Sequence, residues 1–100
     1  MKELFEADFK QVIENGLILV EFNAKSGSTC KLNGPFLKGM QNDIKIDVAY
    51  LDFDQASSLE EEYKLLVSPT FIIFKEGKEV NRIEGFVSKG QIINMIDKEI

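Results

Sequence analysis

The strongest constraint on the fold is a short stretch in which an apolar run is followed by a polar turn and the only cysteine of the chain. The run 17–20 is wholly aliphatic, which is typical of a strand buried on both faces. In the turn 26–29, Ser28 or Thr29 can cap a helix that begins near Cys30. Such a helix start presents free backbone N–H groups, and its dipole favours a negative charge. A cysteine placed there can be more reactive than a buried one, so the stretch is a candidate site.

Length and charge limit the classes of protein to which this chain can belong. Its 100 residues predict one domain, 1–100, with a single modest core. No apolar run exceeds four residues, so we expect no membrane-spanning segment. The net charge of −5 argues against binding to nucleic acid or to anionic membranes. Because the chain has no histidine and no cysteine pair, we expect no metal site and no cofactor.

The cellular location is predicted from the beginning of the chain. The first ten residues, MKELFEADFK, lack the apolar core of a signal peptide, so we expect a cytoplasmic protein. One cysteine cannot form an internal disulfide, and it says little about the redox compartment. We also expect a monomer.

Apolar periodicity predicts an α/β fold with the element order β-α-β-α-β-α-β-β-α. The first three strands are joined through helices and should therefore be parallel. The turn Glu76-Gly77 should join the last two strands in an antiparallel hairpin, which gives a mixed central sheet with helices on both faces. The predicted strands cover residues 2–5, 17–23, 44–53, 70–75 and 78–84.

Capping residues predict where the four helices begin. Asp8 can cap the first helix, and a second helix is expected from about residue 30 to residue 41, with a kink at Pro35. Ser57 and Ser58, each followed three residues later by glutamate, are capping-box candidates for the third helix. Ser88 should cap the last helix. The expected apolar faces include Leu32, Phe36, Leu37 and Met40 in the second helix, Leu59, Tyr63 and Leu66 in the third, and Ile92, Ile93, Ile96 and Ile100 in the last.

Several motifs, in order along nearly the whole chain, resemble the thioredoxin family. Residues 20–24 resemble the strand that leads to the family's active site, and Pro35 lies five residues after Cys30, like the family's helix-kinking proline. The Ser68-Pro69-Thr70 segment resembles its cis-proline loop. Further similarities lie at residues 51–54, in the hairpin segment 74–78, at Gly85 and at residues 88–91. The resemblance implies a thioredoxin fold.

The active-site stretch departs from the family pattern. The family's cysteine pair would fall on Gly27 and Cys30, so the exposed nucleophilic cysteine is absent. The family's buried aspartate, which helps to move a proton, corresponds to Glu21. Other departures are Ser26 and Asn23, where the family usually has tryptophan, Thr29, where it has proline, and Tyr50, where it often has lysine.

These departures leave the function open between a thiol reaction and peptide binding. Reduction of a disulfide by a dithiol needs one thiol that attacks and a second that resolves the mixed disulfide. With Cys30 alone, the resemblance implies a weak thiol–disulfide oxidoreductase in redox homeostasis, which would form mixed disulfides with a client protein or a low-molecular-weight thiol. Cys30 is otherwise an inert core residue. Glu21 is a possible proton relay if it points inward, and an outward strand residue otherwise.

The second function needs no cysteine. In the family, the backbone before the cis-proline pairs with an extended peptide of the client protein, and such pairing could survive here. The candidate peptide-binding residues are Gly27, Ser28, Thr29, Ser68, Pro69 and Thr70, although residues 27–29 also suit a plain turn and helix cap, and Pro69 a device that shapes the loop. A third interpretation is an artificial replacement in which Ser26 stands for the first cysteine of a C-x-x-x-C site.

Overall fold

A five-stranded sheet forms the centre of the computed structural model, which describes residues 1–24 and 36–100. Within these residues the strand order is β1-β3-β2-β4-β5, with β1, β3 and β2 parallel and β4 antiparallel to both of its neighbours. The predicted mixed sheet is therefore confirmed. The elements are β1 Lys2–Leu4, α1 Glu6–Ile13, β2 Leu17–Asn23, β3 Asp47–Asp52, α2 Ser57–Glu62, β4 Thr70–Lys75, β5 Lys78–Glu84 and α3 Lys89–Asp97, with 3-10 turns at Phe36–Gly39, Gln41–Asp43 and Phe53–Gln55.

One face of the sheet packs against α1 and α2, and we call this apolar cluster the α1 core. Phe9 of α1 lies at its centre, with ring centroids 5.9 Å from Phe22, 5.3 Å from Phe74 and 5.8 Å from Tyr63. Tilted and edge-to-face arrangements at these distances are favourable for aromatic pairs. The other buried members include Leu4, Ile13, Ile18, Val20, Ala49, Leu51, Leu59, Leu65 and Ile72.

The opposite face packs against α3 and the 3-10 turns that follow residue 35, and we call this cluster the α3 core. Its buried members are Leu19, Leu37, Met40, Phe71, Ile73, Ile92, Met95 and Ile96. Because successive strand residues point to opposite faces, β2 sends Leu19 and Glu21 to the α3 core and Val20 and Phe22 to the α1 core. Strand β2 is thus covered on both sides, as its aliphatic run predicts.

The predicted second helix differs in the part that the structure describes. Residues 36–43 form two short 3-10 turns rather than a continuous α-helix, while Leu37 and Met40 are buried as predicted. Residues 30–35 of that prediction, including the kink at Pro35, lie outside the described residues. The next strand begins at Asp47 instead of residue 44, and Ile44 and Ile46 pack against the α3 core from the preceding loop.

Two helix starts differ from the predicted caps. Helix α1 begins at Glu6, so Asp8 is not its N-cap; its carboxylate accepts a hydrogen bond from the backbone N–H of Phe5 at 2.9 Å. The predicted serine boxes of α2 are also wrong, because its N-cap is Ala56 and no side-chain cap forms there. Instead, Oε1 of Glu6 accepts from the N–H groups of Ser58 and Leu59, at 2.8 and 3.2 Å. A carboxylate from another helix thus does what the local serines were expected to do.

The end of α2 and the last turns of the chain also decide which leucines and isoleucines are buried. Helix α2 ends at Glu62, and Lys64 takes a left-handed φ of 53°, which interrupts the helical spacing. Leu65 is therefore buried while Leu66 is 85% exposed, contrary to the prediction. Ile100 lies beyond the end of α3 and is exposed as well.

The hairpin and the start of α3 agree with the sequence-based predictions. Strands β4 and β5 have the predicted bounds, and Glu76 and Gly77 adopt φ values of 51° and 85°, as a tight two-residue hairpin turn requires. Ser88 Oγ accepts from the N–H of Gln91 at 3.2 Å, and Gln91 Oε1 accepts from the N–H of Ser88 at 2.9 Å. No helix within residues 1–24 and 36–100 has the length and hydropathy needed to cross a bilayer.

Replacing Glu6 with alanine should destabilise the protein by about 1 kcal/mol, because two N–H groups at the start of α2 lose their acceptor. Glu6→Gln keeps an acceptor oxygen and should lose less. Urea unfolding of both variants and the wild type measures the difference. Equal stability of Glu6→Ala and the wild type would contradict this account of the α2 cap.

Candidate functional site

Glu21 is a fully buried carboxylate near the carboxyl end of the central strand β2. Its Oε1 accepts a hydrogen bond from the N–H of Leu37 at 2.8 Å, and its Oε2 accepts from the N–H of Phe36 at 2.9 Å. The side-chain amide of Asn23 donates to the same Oε2 at 2.8 Å. The first N–H groups of a helical turn lack partners within the turn, so Glu21 caps the turn Phe36–Gly39 across the α3 core.

Burial dominates the electrostatics of this carboxyl group. Removal from water disfavours the charged form and raises the pKa of Glu21, while the hydrogen bonds from Leu37, Asn23 and Phe36 partly oppose that rise. The prediction that Glu21 points inward is confirmed, and the alternative of an outward, solvated side chain is wrong. A buried carboxyl group with a raised pKa can accept and release a proton nearer to neutral pH than a surface carboxyl group can.

Two further hydrogen bonds connect Asn23 and the adjacent Ala24 to the loop before Pro69. The Ser68 hydroxyl donates to Oδ1 of Asn23 at 3.2 Å, and it accepts from the N–H of Ala24 at 3.2 Å. The hydroxyl of Tyr50, on the neighbouring strand β3, donates to the backbone carbonyl of Asn23 at 3.1 Å. The end of β2 is therefore joined to both β3 and the Ser68 loop.

The loop before β4 is held by one hydrogen bond to the Pro69 carbonyl and one from the Thr70 side chain. The Ser68–Pro69 peptide bond is cis, and the carbonyl of Pro69 accepts from the N–H of Gly85 at 2.8 Å. The hydroxyl of Thr70 donates to the carbonyl of Val67. Pro69 and Thr70 are buried and Ser68 is exposed, so of the three predicted binding residues in this loop Ser68 presents its side chain to solvent.

Exposed apolar side chains lie in this loop and next to Gly85, to which the loop is hydrogen-bonded. Leu66 and Phe86 are each 85% exposed, and Val67 is 39% exposed. Leu66 and Val67 directly precede Ser68, while Phe86 follows Gly85, whose N–H is bonded to Pro69. An exposed apolar surface beside a fixed polar loop is a typical feature of a site that binds another protein segment.

The structure brings together only part of the predicted site. Glu21 and Ser68 belong to one hydrogen-bonded group, whereas Cys30 and the predicted binding residues Gly27, Ser28 and Thr29 lie outside the described residues. Sequence reasoning missed the bridging role of Asn23. A usable signal was present, because residues two apart on a strand share a face, and Asn23 is two residues after Glu21.

These features define an α/β protein whose mixed sheet carries a buried carboxylate beside a cis-proline loop. The family model described as Thioredoxin matches residues 1–98, so the chain belongs to the thioredoxin family.

Similarity to individual proteins agrees with this assignment. The chain is 34% identical to a thioredoxin of Staphylococcus aureus (strain Mu50 / ATCC 700699) in an alignment of 97 residues, and the match covers 95% of this chain and 93% of that relative. The solved structure of Plasmodium falciparum thioredoxin is 26% identical, with a TM-score of 0.82 and complete coverage of both chains. The Fasciola hepatica thioredoxin structure is 27% identical, with a TM-score of 0.80 and 98% of each chain covered. The predicted thioredoxin fold and family are thus confirmed, as is a thioredoxin-like redox class.

Glu21→Gln should change how stability depends on pH. Because the pKa of Glu21 is raised from its ordinary value of 4.5, the folded protein binds this proton more tightly than the unfolded chain does. The stabilisation from Glu21 is complete below pH 4.5 and is lost as the pH rises through the folded pKa. The free energy of unfolding of the wild type minus that of Glu21→Gln should therefore fall as the pH rises above 4.5, and then level off.

Urea unfolding at a series of pH values from about 4 to about 9 measures this difference. Glu61→Gln is the control variant, because it removes a carboxyl group that is exposed. A difference between wild type and Glu21→Gln that stays constant or rises across this range would contradict the raised pKa.

Proposed function

We propose that this thioredoxin-family protein takes part in thiol–disulfide redox homeostasis through Cys30 alone. The observation that carries the proposal is a single cysteine in a chain whose family match covers residues 1–98. The dithiol cycle needs a second thiol in the same chain to resolve the mixed disulfide. Exchange at Cys30 therefore halts at the mixed disulfide until an external thiol arrives. We expect the protein to act as a cytoplasmic monomer.

The proposed exchange is balanced without a second cysteine. The Cys30 thiolate attacks one sulfur of a disulfide R–S–S–R, forms Cys30–S–S–R and releases one thiolate RS⁻. A low-molecular-weight thiol R′SH, after losing its proton, attacks the R sulfur of that mixed disulfide. This second step forms R–S–S–R′ and regenerates the Cys30 thiolate. The net reaction is one thiol–disulfide exchange with no other oxidant or reductant.

Glu21 is the proposed proton relay of this exchange. Its carboxyl group is buried, and its pKa is raised by that burial. A group that changes protonation nearer to neutral pH can take up the proton of a thiol and return it to a leaving thiolate. The backbone N–H groups of Phe36 and Leu37 hold the carboxyl group in one orientation.

The alternative proposal is a non-catalytic module that binds a peptide segment. The exposed Ser68, the fixed Pro69 carbonyl and the apolar side chains Leu66, Val67 and Phe86 favour it. In this proposal the groove between residues 27–30 and residues 68–70 holds an extended peptide through backbone pairing, and no sulfur chemistry takes place.

Exposure of the native wild-type protein to the disulfide of a small thiol, such as glutathione disulfide, should add one mixed-disulfide adduct per chain. Intact-mass spectrometry measures the adduct, which dithiothreitol should remove and which Cys30→Ser should not form. Reduction of insulin disulfides should remain feeble compared with that by a dithiol thioredoxin. Absence of any adduct until the protein is denatured, or brisk insulin reduction driven by a thioredoxin-reductase system, would contradict the Cys30 proposal.

Capture of client proteins separates the two functions. If the protein binds its clients without sulfur chemistry, Cys30→Ser should still capture the same proteins. Val67→Ser should lose affinity for them, because an apolar contact beside Ser68 is removed. Val80→Ser is the matched control, since Val80 is 40% exposed, close to the 39% of Val67. Val80 lies away from the loop, because the loop leads into Thr70, which pairs with Glu84 at the other end of β5. Loss of every captured protein in Cys30→Ser would reject the binding module.

A further inference from the structure

Two hydrogen bonds between side chains connect the buried Glu21, through Asn23, to the exposed Ser68. We propose that Asn23 is a positioning residue that makes the direction of the Ser68 hydroxyl depend on whether Glu21 carries a proton. The effect on a bound peptide rests on the proposed peptide binding at the Ser68 loop. The coupling of Ser68 to Glu21 through Asn23, which we call the Asn23 coupling, is a property of the protein without any partner.

When Glu21 is ionised, it fixes the direction of the two hydrogen bonds that connect Glu21 with Asn23 and Asn23 with Ser68. A carboxylate only accepts, so Asn23 must turn its NH₂ group toward Oε2 of Glu21, as the 2.8 Å contact shows. The amide oxygen of Asn23 then faces Ser68 and can only accept, at 3.2 Å. The Ser68 hydroxyl hydrogen is therefore directed inward, toward Asn23, and is withheld from any ligand.

Protonation of Glu21 should reverse this order. A protonated carboxyl group must also donate, and its other partners, the N–H groups of Phe36 and Leu37, cannot accept. Among the contacts of Glu21 within residues 1–24 and 36–100, Asn23 alone offers an acceptor, and it does so if its amide turns by half a rotation. The NH₂ group then donates to Ser68 Oγ, which has lone pairs for both Asn23 and Ala24. Glu21 and Asn23 keep hydrogen-bond partners in both states, and the hydroxyl hydrogen of the exposed Ser68 is left to water or a ligand, so the reversal leaves no buried polar atom unpaired.

In the part of the chain that the structure describes, few groups near Glu21 compete for its proton. Tyr50 lies opposite Glu21 on β3 and directs its hydroxyl to the Asn23 carbonyl, and Phe71 lies opposite Glu21 on β4. The charged residues on the helix and 3-10 turns that cover this face are exposed: Lys38, Asp43, Lys89 and Asp97. Lys89 is paired with Asp43 at 2.6 Å. Among the described residues, burial raises the pKa of Glu21, and the hydrogen bonds from Leu37, Asn23 and Phe36 lower it.

The reversal has a direct consequence for binding at the loop. When Glu21 is protonated, the Ser68 hydroxyl hydrogen is released from Asn23 and can be donated to a carbonyl group of an extended peptide. A ligand that accepts this hydrogen bond should bind more tightly as the pH falls through the pKa of Glu21. By linkage, binding of that ligand should raise the pKa of Glu21.

The Asn23 coupling can be tested on the isolated protein by NMR, with Cys30 kept reduced. The carboxyl ¹³C of Glu21, the side-chain amide ¹⁵N of Asn23 and the Cβ of Ser68 should titrate with one shared midpoint. In Asn23→Ala, the Glu21 midpoint should rise because the ionised form loses a hydrogen bond, and Ser68 should no longer follow Glu21. In Ser68→Ala, which removes only the far end of the chain, Asn23 should still follow Glu21.

Asn81→Ala is the matched control, because it removes a similar contact, Asn81 Nδ2 to Glu99 Oε2 at 3.2 Å, away from the site. It should leave the shared midpoint of Glu21, Asn23 and Ser68 unchanged. The proposal is overturned if the Asn23 amide stays flat while Glu21 titrates, or if Ser68 still follows Glu21 in Asn23→Ala. No client or disulfide is present in this experiment, so such a result rejects the Asn23 coupling alone. The proposed thiol exchange is tested separately, by the Cys30 adduct.

Discussion

The buried carboxylate of Glu21 is the constraint on which the described site depends. Taking a charge out of water is costly unless hydrogen bonds replace the lost hydration. Here the replacement comes from two segments: the turn that begins at Phe36, and Asn23 on the same strand. Glu21 therefore connects the central strand, the start of that turn and, through Asn23, the Ser68 loop. A shorter or apolar side chain at this position would remove the acceptor of the N–H groups of Phe36 and of the buried Leu37.

The thioredoxin scaffold is retained in this chain while the chemistry associated with it is altered. Family membership extends over residues 1–98, yet the sequence supplies one thiol, at Cys30. The features that do not need a thiol pair are well formed: a fixed Pro69 carbonyl, an exposed Ser68 and apolar neighbours. In the two proposed functions, thiol exchange depends on Cys30 and peptide recognition on the Ser68 loop, so the absence of a second cysteine limits the first and not the second.

Elements governed by neighbouring residues were predictable to the residue. The hairpin turn at Glu76 and Gly77 and the cap formed by Ser88 and Gln91 depend on contacts within four residues, and both are confirmed. The start of α2 was not predictable in this way. Its N–H groups are capped by Glu6, which is 52 residues away from Ser58 in the sequence, so the local serine pattern was misleading.

The sequence by itself determined that five strands form and to which family the chain belongs, because apolar alternation and short motifs are local properties of the chain. It left open whether Glu21 points inward, and the structure decided that Glu21 is buried. Only the tertiary structure decided what Glu21 and Asn23 contact. Asn23 and Ser68 are 45 residues apart, and their hydrogen bond exists because β2 pairs with β4 in one register, with Phe22 opposite Thr70. A hydrogen bond needs two atoms within about 3 Å, and only the folded packing of distant segments sets such a distance.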